Sequence, residues 1–181
     1  KSCHSAEKLG GLFVGINRTY CCEISLMVKL KNKTQIQLNP VNNSYRNNLI
    51  ELILRRAIST RFFKDERIRE TYYGSIITQW IDDSINNNVG FIYTKSDSLI
   101  GYISLNEKNS LGNIDYIIVD DKLATPGLGS QLLEYGHSWF IDNKYSSVIA
   151  ITQKENISAC KMYEKFGYRV INEESYYHFW I

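Results

Sequence analysis

Asn156-Ile157-Ser158-Ala159-Cys160-Lys161-Met162-Tyr163-Glu164-Lys165-Phe166-Gly167-Tyr168 is the stretch on which the reading of this chain turns. It reads as a helix from about Asn156 to Phe166, stopped by Gly167, with Tyr168 opening the next strand. Asn156 and Tyr163 stand seven positions apart, about two helical turns, so both side chains point the same way. Taken alone, Asn156 is equally well a helix cap and Tyr163 a core aromatic. Upstream, Pro126-Gly127-Leu128-Gly129-Ser130 falls between a predicted strand and a predicted helix. Glycines let the backbone approach a ligand, and the first amides of a helix are unpaired donors at its positive end, an arrangement suited to a diphosphate. Alone, such a turn is also a plain connection. No Gly-Lys-Ser/Thr follows, so it is not a P-loop, and the G-x-G-x-x-G dinucleotide pattern is incomplete.

Working outward, residues 89–95, 99–106 and 113–120 read as three strands in an antiparallel meander, with Ser96-Asp97-Ser98 a tight hairpin. A helix over 127–143, a buried strand over 147–152 and two last strands near 168–172 and 175–181 follow. On the N-terminal side, 10–16 and 20–30 read as two strands, and 34–38 as a short third. Apolar residues at helical spacing predict helices over 47–60 and 70–87, joined by Arg61-Phe62-Phe63-Lys64. This order predicts an α/β (α+β) domain: a mixed, mostly antiparallel sheet with helices on both faces. The polar break at 31–34 is the best boundary, giving 1–33 and 34–181.

Composition narrows the function. Twenty-one Lys and Arg against nineteen Asp and Glu leave a charge of +2, which argues against nucleic acid as a partner. Hydrophobic residues at 44% and aromatics at 13% exclude intrinsic disorder. No apolar run reaches the roughly 20 residues of a membrane span, so the expectation is a protein off the membrane, in the cytoplasm. Cys3, Cys21, Cys22 and Cys160 have no zinc spacing with the scattered His4, His137 and His178, and adjacent cysteines rarely bridge. Reduced thiols and no metal are expected. The start at Lys1 suggests that residues upstream are missing.

Read together, the glycine turn and, about 27 residues later, N-x-x-A-x-x-x-Y-E-K-x-G-Y resemble the GNAT acetyltransferase superfamily over about residues 34–181. The resemblance implies a sheet with a splayed central strand pair and acetyl-CoA bound where strand 113–120 parts from strand 147–152. It puts the pyrophosphate on the amides of Thr125, Gly127, Leu128, Gly129 and Ser130. The pantetheine arm would follow the backbone of Ile117, Ile118 and Val119, with Asn156 bonded to it. Tyr163 matches the tyrosine that many members use as general acid, a role its ordinary pKa near 10 suits against a thiol's roughly 8.5. The backbone amide of Val119, or one beside it, could hold the oxyanion. One departure is Ala124, which stands where Arg or Gln is usual.

Ser59-Thr60-Arg61-Phe62, Thr78-Gln79-Trp80-Ile81 and the aromatic tail 174–180 are similar to the branch that acetylates TDP-fucosamine, on the 4-amino group of a nucleotide-linked 4-amino-4,6-dideoxyhexose. That branch carries a small N-terminal domain, of which 1–33 would be the end. On this reading the partner is a small-molecule amine, a sugar nucleotide: Arg61, with Lys64 or Arg67, would meet phosphate, and Phe62, Tyr72, Tyr73 and Trp80 would meet base or sugar. Core packing is the alternative for the aromatics, and a solvated charge for Arg61. The proton acceptor is open among Asp115, Asp120, Glu107, His178 and a water chain. A protein amino terminus, a polyamine or an antibiotic as acceptor, a non-catalytic CoA-ester-binding module, and a homodimer all remain compatible with the sequence.

Overall fold

The computed structural model describes residues 2–29 and 36–180. Helix α1 (Ser2–Lys8), strand β1 (Leu12–Glu23) and helix α2 (Ile24–Lys29) come first, then β2 (Asn39–Pro40). Helices α3 (Arg46–Arg56), α4 (Arg61–Lys64), α5 (Glu66–Thr71) and α6 (Tyr73–Asn86) follow. The meander is β3 (Gly90–Lys95), β4 (Ser98–Lys108) and β5 (Leu111–Val119). Both of its turns carry two consecutive residues at positive φ, Ser96-Asp97 and Asn109-Ser110, the backbone a tight hairpin needs. Helix α7 (Leu128–Asp142), β6 (Ser147–Gln153), α8 (Ile157–Lys165) and β7 (Arg169–His178) complete the chain.

The strands form one mixed sheet in the order β2-β3-β4-β5-β6-β1-β7. Neighbours are antiparallel except β5 and β6, which run parallel and pair only over Gly112–Ile114 against Val148–Ala150. Beyond that they part, β5 continuing to Val119 and β6 to Gln153. The cause is local. Tyr116 pairs with Ser104 and Ile114 with Leu105, so Asp115 is an extra residue on β5. Such a bulge bends its strand and strengthens the twist, carrying the end of β5 away from β6. The expected splay is present.

Each face of the sheet buries its own core. One gathers Leu128, Leu132, Leu133 and Phe140 of α7 and Cys160 and Tyr163 of α8. The other gathers Leu49, Leu52 and Ile53 of α3 and Tyr73, Ile77 and Ile81 of α6. Four expectations are corrected. Residues 10–29 are not two strands but β1 followed by α2. Gly15 (φ 133°) sits at a register shift against β7 rather than in a turn, and Met27 is buried from a helix rather than from the second expected strand. The 34–38 strand is absent at 36–38, its first two residues lying outside the described residues. The second helix is two, because buried Asp65 caps a separate α5 and the chain re-enters helix at Tyr73. The last two strands are one: Glu173 pairs with Arg18 at 2.6 Å and Lys154 at 3.1 Å, so the acidic pair lies in paired strand, not in a turn. Strand β1 lies between β6 and β7, so residues before 33 share the sheet with those after it, and the break at 31–34 lies outside the described residues.

Cys21, Cys22 and Cys160 are free thiols. Among the described residues no three His, Cys, Asp or Glu side chains are grouped to hold a metal, and no helix is long and apolar enough to cross a membrane. His137 is buried against Phe166, with Nε2 3.0 Å from the Tyr168 hydroxyl. Burial lowers its pKa to about 4. Unfolded, it would take a proton near 6.5; folded, it resists until about 4. Stability should therefore fall as pH drops through that window, by on the order of 3 kcal/mol from this residue once pH is below the folded value. Urea titrations from pH 7 to 4 should show a shallower decline in His137→Gln than in the parent chain. Parallel curves would mean that the ring charges without cost.

Candidate active site

Gly127 takes the left-handed conformation (φ 92°) that opens α7. Leu128 N–H donates to the Thr125 carbonyl at 3.2 Å, and Gln131 N–H to the Gly127 carbonyl at 3.1 Å. The amides of Thr125, Gly127, Gly129 and Ser130 donate to no protein acceptor among the described residues. A Cβ on Gly127 would meet open space, so the backbone there is accessible. These donors fit a diphosphate. Leu128, expected among them, spends its amide inside the turn and its side chain in the core. Ala124 packs against the core beneath and contributes no charge.

On the other wall of the cleft, Asp120 N–H donates to the Ile100 carbonyl at 2.8 Å. Antiparallel pairing alternates, so Ile118, opposite Tyr102, also turns its backbone to β4, while Ile117 and Val119 turn theirs toward the gap. Ile117 and Val119 therefore fit a role as cleft donors. Ile118 does not: its backbone is committed to β4 and its side chain to the second core.

Helix α8 supplies the third wall. Asn156 Oδ1 accepts from Ala159 N–H at 3.3 Å, so its carbonyl oxygen is a helix cap, while its amide NH2 has no protein acceptor among the described residues. Tyr163 is 5% exposed, its ring between Tyr20 (5.5 Å) and Tyr168 (5.3 Å). Its hydroxyl makes no hydrogen bond among the described residues. Burial pushes its pKa above the ordinary value, which keeps it protonated. Tyr20 was missed in the sequence because β1 was not expected beside β6.

Strands β5, β6 and β7 run the same way, so their carboxyl ends meet where the sheet opens. Helix α4, capped by Thr60, lies over this edge: Ser59 bonds Gln153 at 3.3 Å and Lys64 pairs with Glu155 at 3.3 Å. A run of rings crosses it, from Tyr116 on β5 to Trp80 (6.1 Å), Phe62 (5.6 Å) and His178 (6.4 Å). The Arg61 guanidinium lies 4.7 Å over Phe62 and 4.5 Å over Tyr176, with no carboxylate partner among the described residues. Arg61, Phe62 and Trp80 are thus brought together. Tyr73 is not: it is buried, and its hydroxyl donates to the Ala57 carbonyl at 3.0 Å. Tyr72 is exposed and outside the run, Lys64 is paired, and Arg67 stacks 5.3 Å over Trp180.

The four proton acceptors separate. Asp120 accepts from Arg55 at 2.8 Å and from Lys122 N–H at 2.9 Å. Burial works against its charge, but these donors outweigh it and hold the carboxyl below the usual range. Glu107 takes the Tyr145 hydroxyl at 3.2 Å and pairs across from Gly112, at the closed end of the β5–β6 wedge. Asp115 is the exposed bulge residue. His178 Nδ1 lies 2.7 Å from Oδ2 of Asp65, a carboxylate 1% exposed that the sequence reading overlooked. Its signal was there: Asp just before Glu66-Arg67-Ile68 is a cap pattern.

Comparison with known proteins agrees with this geometry. Streptothricin acetyltransferase of Escherichia coli is 26% identical over 114 residues, 55% of this chain and 66% of that one. Spore coat polysaccharide biosynthesis protein SpsD of Bacillus subtilis (strain 168) is 24% identical over 151 residues, 80% of this chain and 50% of that one. The chain thus spans about half to two thirds of the length of these curated relatives. Among solved structures, the PaiA N-acetyltransferase of Thermoplasma acidophilum in complex with coenzyme A shares the fold. Its TM-score is 0.61 at 16% identity, covering 78% of this chain and 99% of that one. The family model described as the acetyltransferase (GNAT) family matches residues 53–168. With the splayed strands, the open glycine turn and the Asn156–Tyr163 helix in place, the chain belongs to the acetyltransferase (GNAT) family.

Proposed function

We propose that this chain transfers the acetyl group of acetyl-CoA to a primary amine, the 4-amino group of a nucleotide-linked amino-deoxysugar of the TDP-fucosamine kind. The observation that carries the acceptor class is Arg61, a guanidinium held between two rings with no carboxylate to neutralise it among the described residues, at the aromatic edge of the cleft. A planar fork so placed suits a diphosphate, and Phe62 and Trp80 beside it suit a base or sugar face. A polyamine would instead call for free carboxylates. The relative named for spore coat polysaccharide biosynthesis supports a sugar acceptor.

In this reading Thr125, Gly127, Gly129 and Ser130 hold the pyrophosphate, and Ile117, Val119 and the Asn156 amide hold the pantetheine arm. The Val119 amide stabilises the charge that develops on the thioester oxygen, and Tyr163 protonates the departing sulfur. Bringing both substrates into one cleft supplies much of the remaining acceleration.

Thiol release should be followed with acetyl-CoA against a TDP-linked 4-amino-4,6-dideoxyhexose, streptothricin, spermidine and a peptide amino terminus. Turnover is expected with the sugar nucleotide. Arg61→Ala should raise its KM about tenfold, the equivalent of one hydrogen bond to a charged group, with a smaller change in kcat. An inert sugar nucleotide beside a reactive streptothricin or peptide would overturn the sugar assignment and keep the transferase.

A further inference from the structure

We propose that His178, oriented by Asp65, is the base that takes the proton from the acceptor's ammonium group; this rests on the acceptor reading above and deepens it. The dyad is built into the fold. Asp65 Oδ1 caps α5, accepting from Arg67 N–H at 3.1 Å and Ile68 N–H at 3.5 Å. Its Oδ2 receives His178 Nδ1 at 2.7 Å and Trp180 Nε1–H at 3.1 Å. Burial opposes charge on this carboxyl, but the His178, Ile68 and Trp180 donors prevail and its pKa is lowered. A carboxylate at Nδ1 fixes the neutral ring as the Nδ1–H tautomer, which leaves the lone pair on Nε2. Nε2 has no protein partner among the described residues, and the side chain is 17% exposed.

Position agrees with the role. Asn17 on β1 is level with Gln153 of β6 and with Glu174 of β7, and His178 lies four residues further on. Val119 lies five residues beyond Ile114, which is level with Ala150 of β6. Because Asp115 is an extra residue, Val119 stands four levels beyond Ile114, so along the strand direction His178 and Val119 differ by about three residues, roughly 10 Å, with β6 and β1 between their strands. The ring run from Tyr116 through Trp80 and Phe62 spans the gap between them. An amine seated on those rings would face Nε2 at one end of the run and the edge of β5 at the other.

The step balances. His178 Nε2 takes one proton from R–NH3+, giving R–NH2, whose lone pair forms the C–N bond as the C–S bond breaks. Tyr163 gives its proton to the sulfur and recovers one from the new amide nitrogen, and the imidazolium returns its proton to solvent. The net change is one amide, one thiol and one proton released. The charged groups near the imidazole are Asp65 on Nδ1, and Arg61 and Arg67, stacked on the adjoining Phe62, Tyr176 and Trp180 rings. On its own strand, Glu174 is engaged by the Tyr176 hydroxyl at 3.3 Å. From β1, Leu12 and Phe13 carry no charge.

The test uses acetyl-CoA and the TDP-linked 4-amino-4,6-dideoxyhexose, with kcat/KM measured from pH 5 to 9. His178→Gln, checked for an unchanged melting temperature, should lower kcat/KM by about 100-fold or more. It should also remove the ionisation on the acid limb, leaving a rate that climbs with the free-amine fraction. Added imidazole should restore part of the rate in His178→Ala, and Asp65→Asn should displace the acid limb without abolishing turnover. A His178→Gln rate within threefold of the parent, with the limb intact, would overturn the proposal in favour of a water chain. Acetyl-CoA binding without turnover of any amine by the unaltered chain would fell the acceptor reading, and this assignment with it. Those two failures are distinguishable by the parent's own rate.

Discussion

Replacing Tyr163 with Phe should reduce kcat by about 10²- to 10⁴-fold, the usual weight of a positioned general acid, while acetyl-CoA binding changes little. The structure makes this substitution unusually clean. Among the described residues the hydroxyl has no protein partner to orphan, and the ring contacts with Tyr20 and Tyr168 survive in Phe. Stability should therefore move by well under about 1 kcal/mol, since surface-type losses are absent and the packed volume is kept. Burial raises the phenol's pKa, which by itself makes proton donation harder. A thiolate leaving into the same enclosed site is raised by the same desolvation. Proton transfer depends on the difference between the two, and that difference moves less than either value. Tyr163 should also stay protonated throughout the working range, so the alkaline limb of the kcat profile should belong to another group. Thiol release, calorimetric titration with acetyl-CoA and a melting curve on one preparation test all three expectations. A variant retaining a third or more of kcat would show that solvent protonates the sulfur.

The parts of the fold legible in the sequence are those set by short-range chemistry. The meander followed from alternating apolar runs and a Ser96-Asp97 turn, α7 from the glycine turn, and α8 from the cap and Gly167 stop. What could not be read were long-range choices. Nothing local says that β1 inserts between β6 and β7, and that insertion is what brings Tyr20 beside Tyr163 and joins two expected C-terminal strands into one. The stretch Ile24–Lys29 is rich enough in β-branched and apolar residues to pass for strand, yet it buries Met27 as a helix against the first core. The site divides the same way. Arg61, Phe62 and Trp80 lie together because α4 and α6 present them at one edge. Tyr73 is lost to the core through a single hydrogen bond to Ala57, and Leu128 and Ile118 are lost because backbone donors alternate within a turn or a ladder. The His178–Asp65 pair joins residues 113 positions apart, which no spacing rule reaches.

Truncating Phe140 should cost about 3–5 kcal/mol, a large part of the 5–15 kcal/mol that holds a typical domain. The ring is fully buried, set edge-on to Trp139 at 5.2 Å and to Tyr145 at 5.5 Å. It also lies on the backbone of Gly112, where an added Cβ would come within 2.6 Å of Cδ1. Gly112 opens the three-residue segment where β5 and β6 still pair, so Phe140 braces the apex of the wedge from which the strands part. A cavity there removes stability and slackens the hinge that sets the cleft's width. Urea unfolding of Phe140→Ala measures the first, and acetyl-CoA affinity of the still-folded variant at low temperature measures the second. Gly112→Ala gives the opposite insult, an overpacked apex costing about 1–3 kcal/mol. Because the added methyl and the ring compete for one space, Gly112→Ala in a Phe140→Leu background should cost less than in the parent. The two changes should be non-additive by about 0.5 kcal/mol or more. Strict additivity, or a Phe140→Ala loss below about 1 kcal/mol, would mean that α7 collapses onto β5 without penalty and that the bulge at Asp115 alone sets the opening.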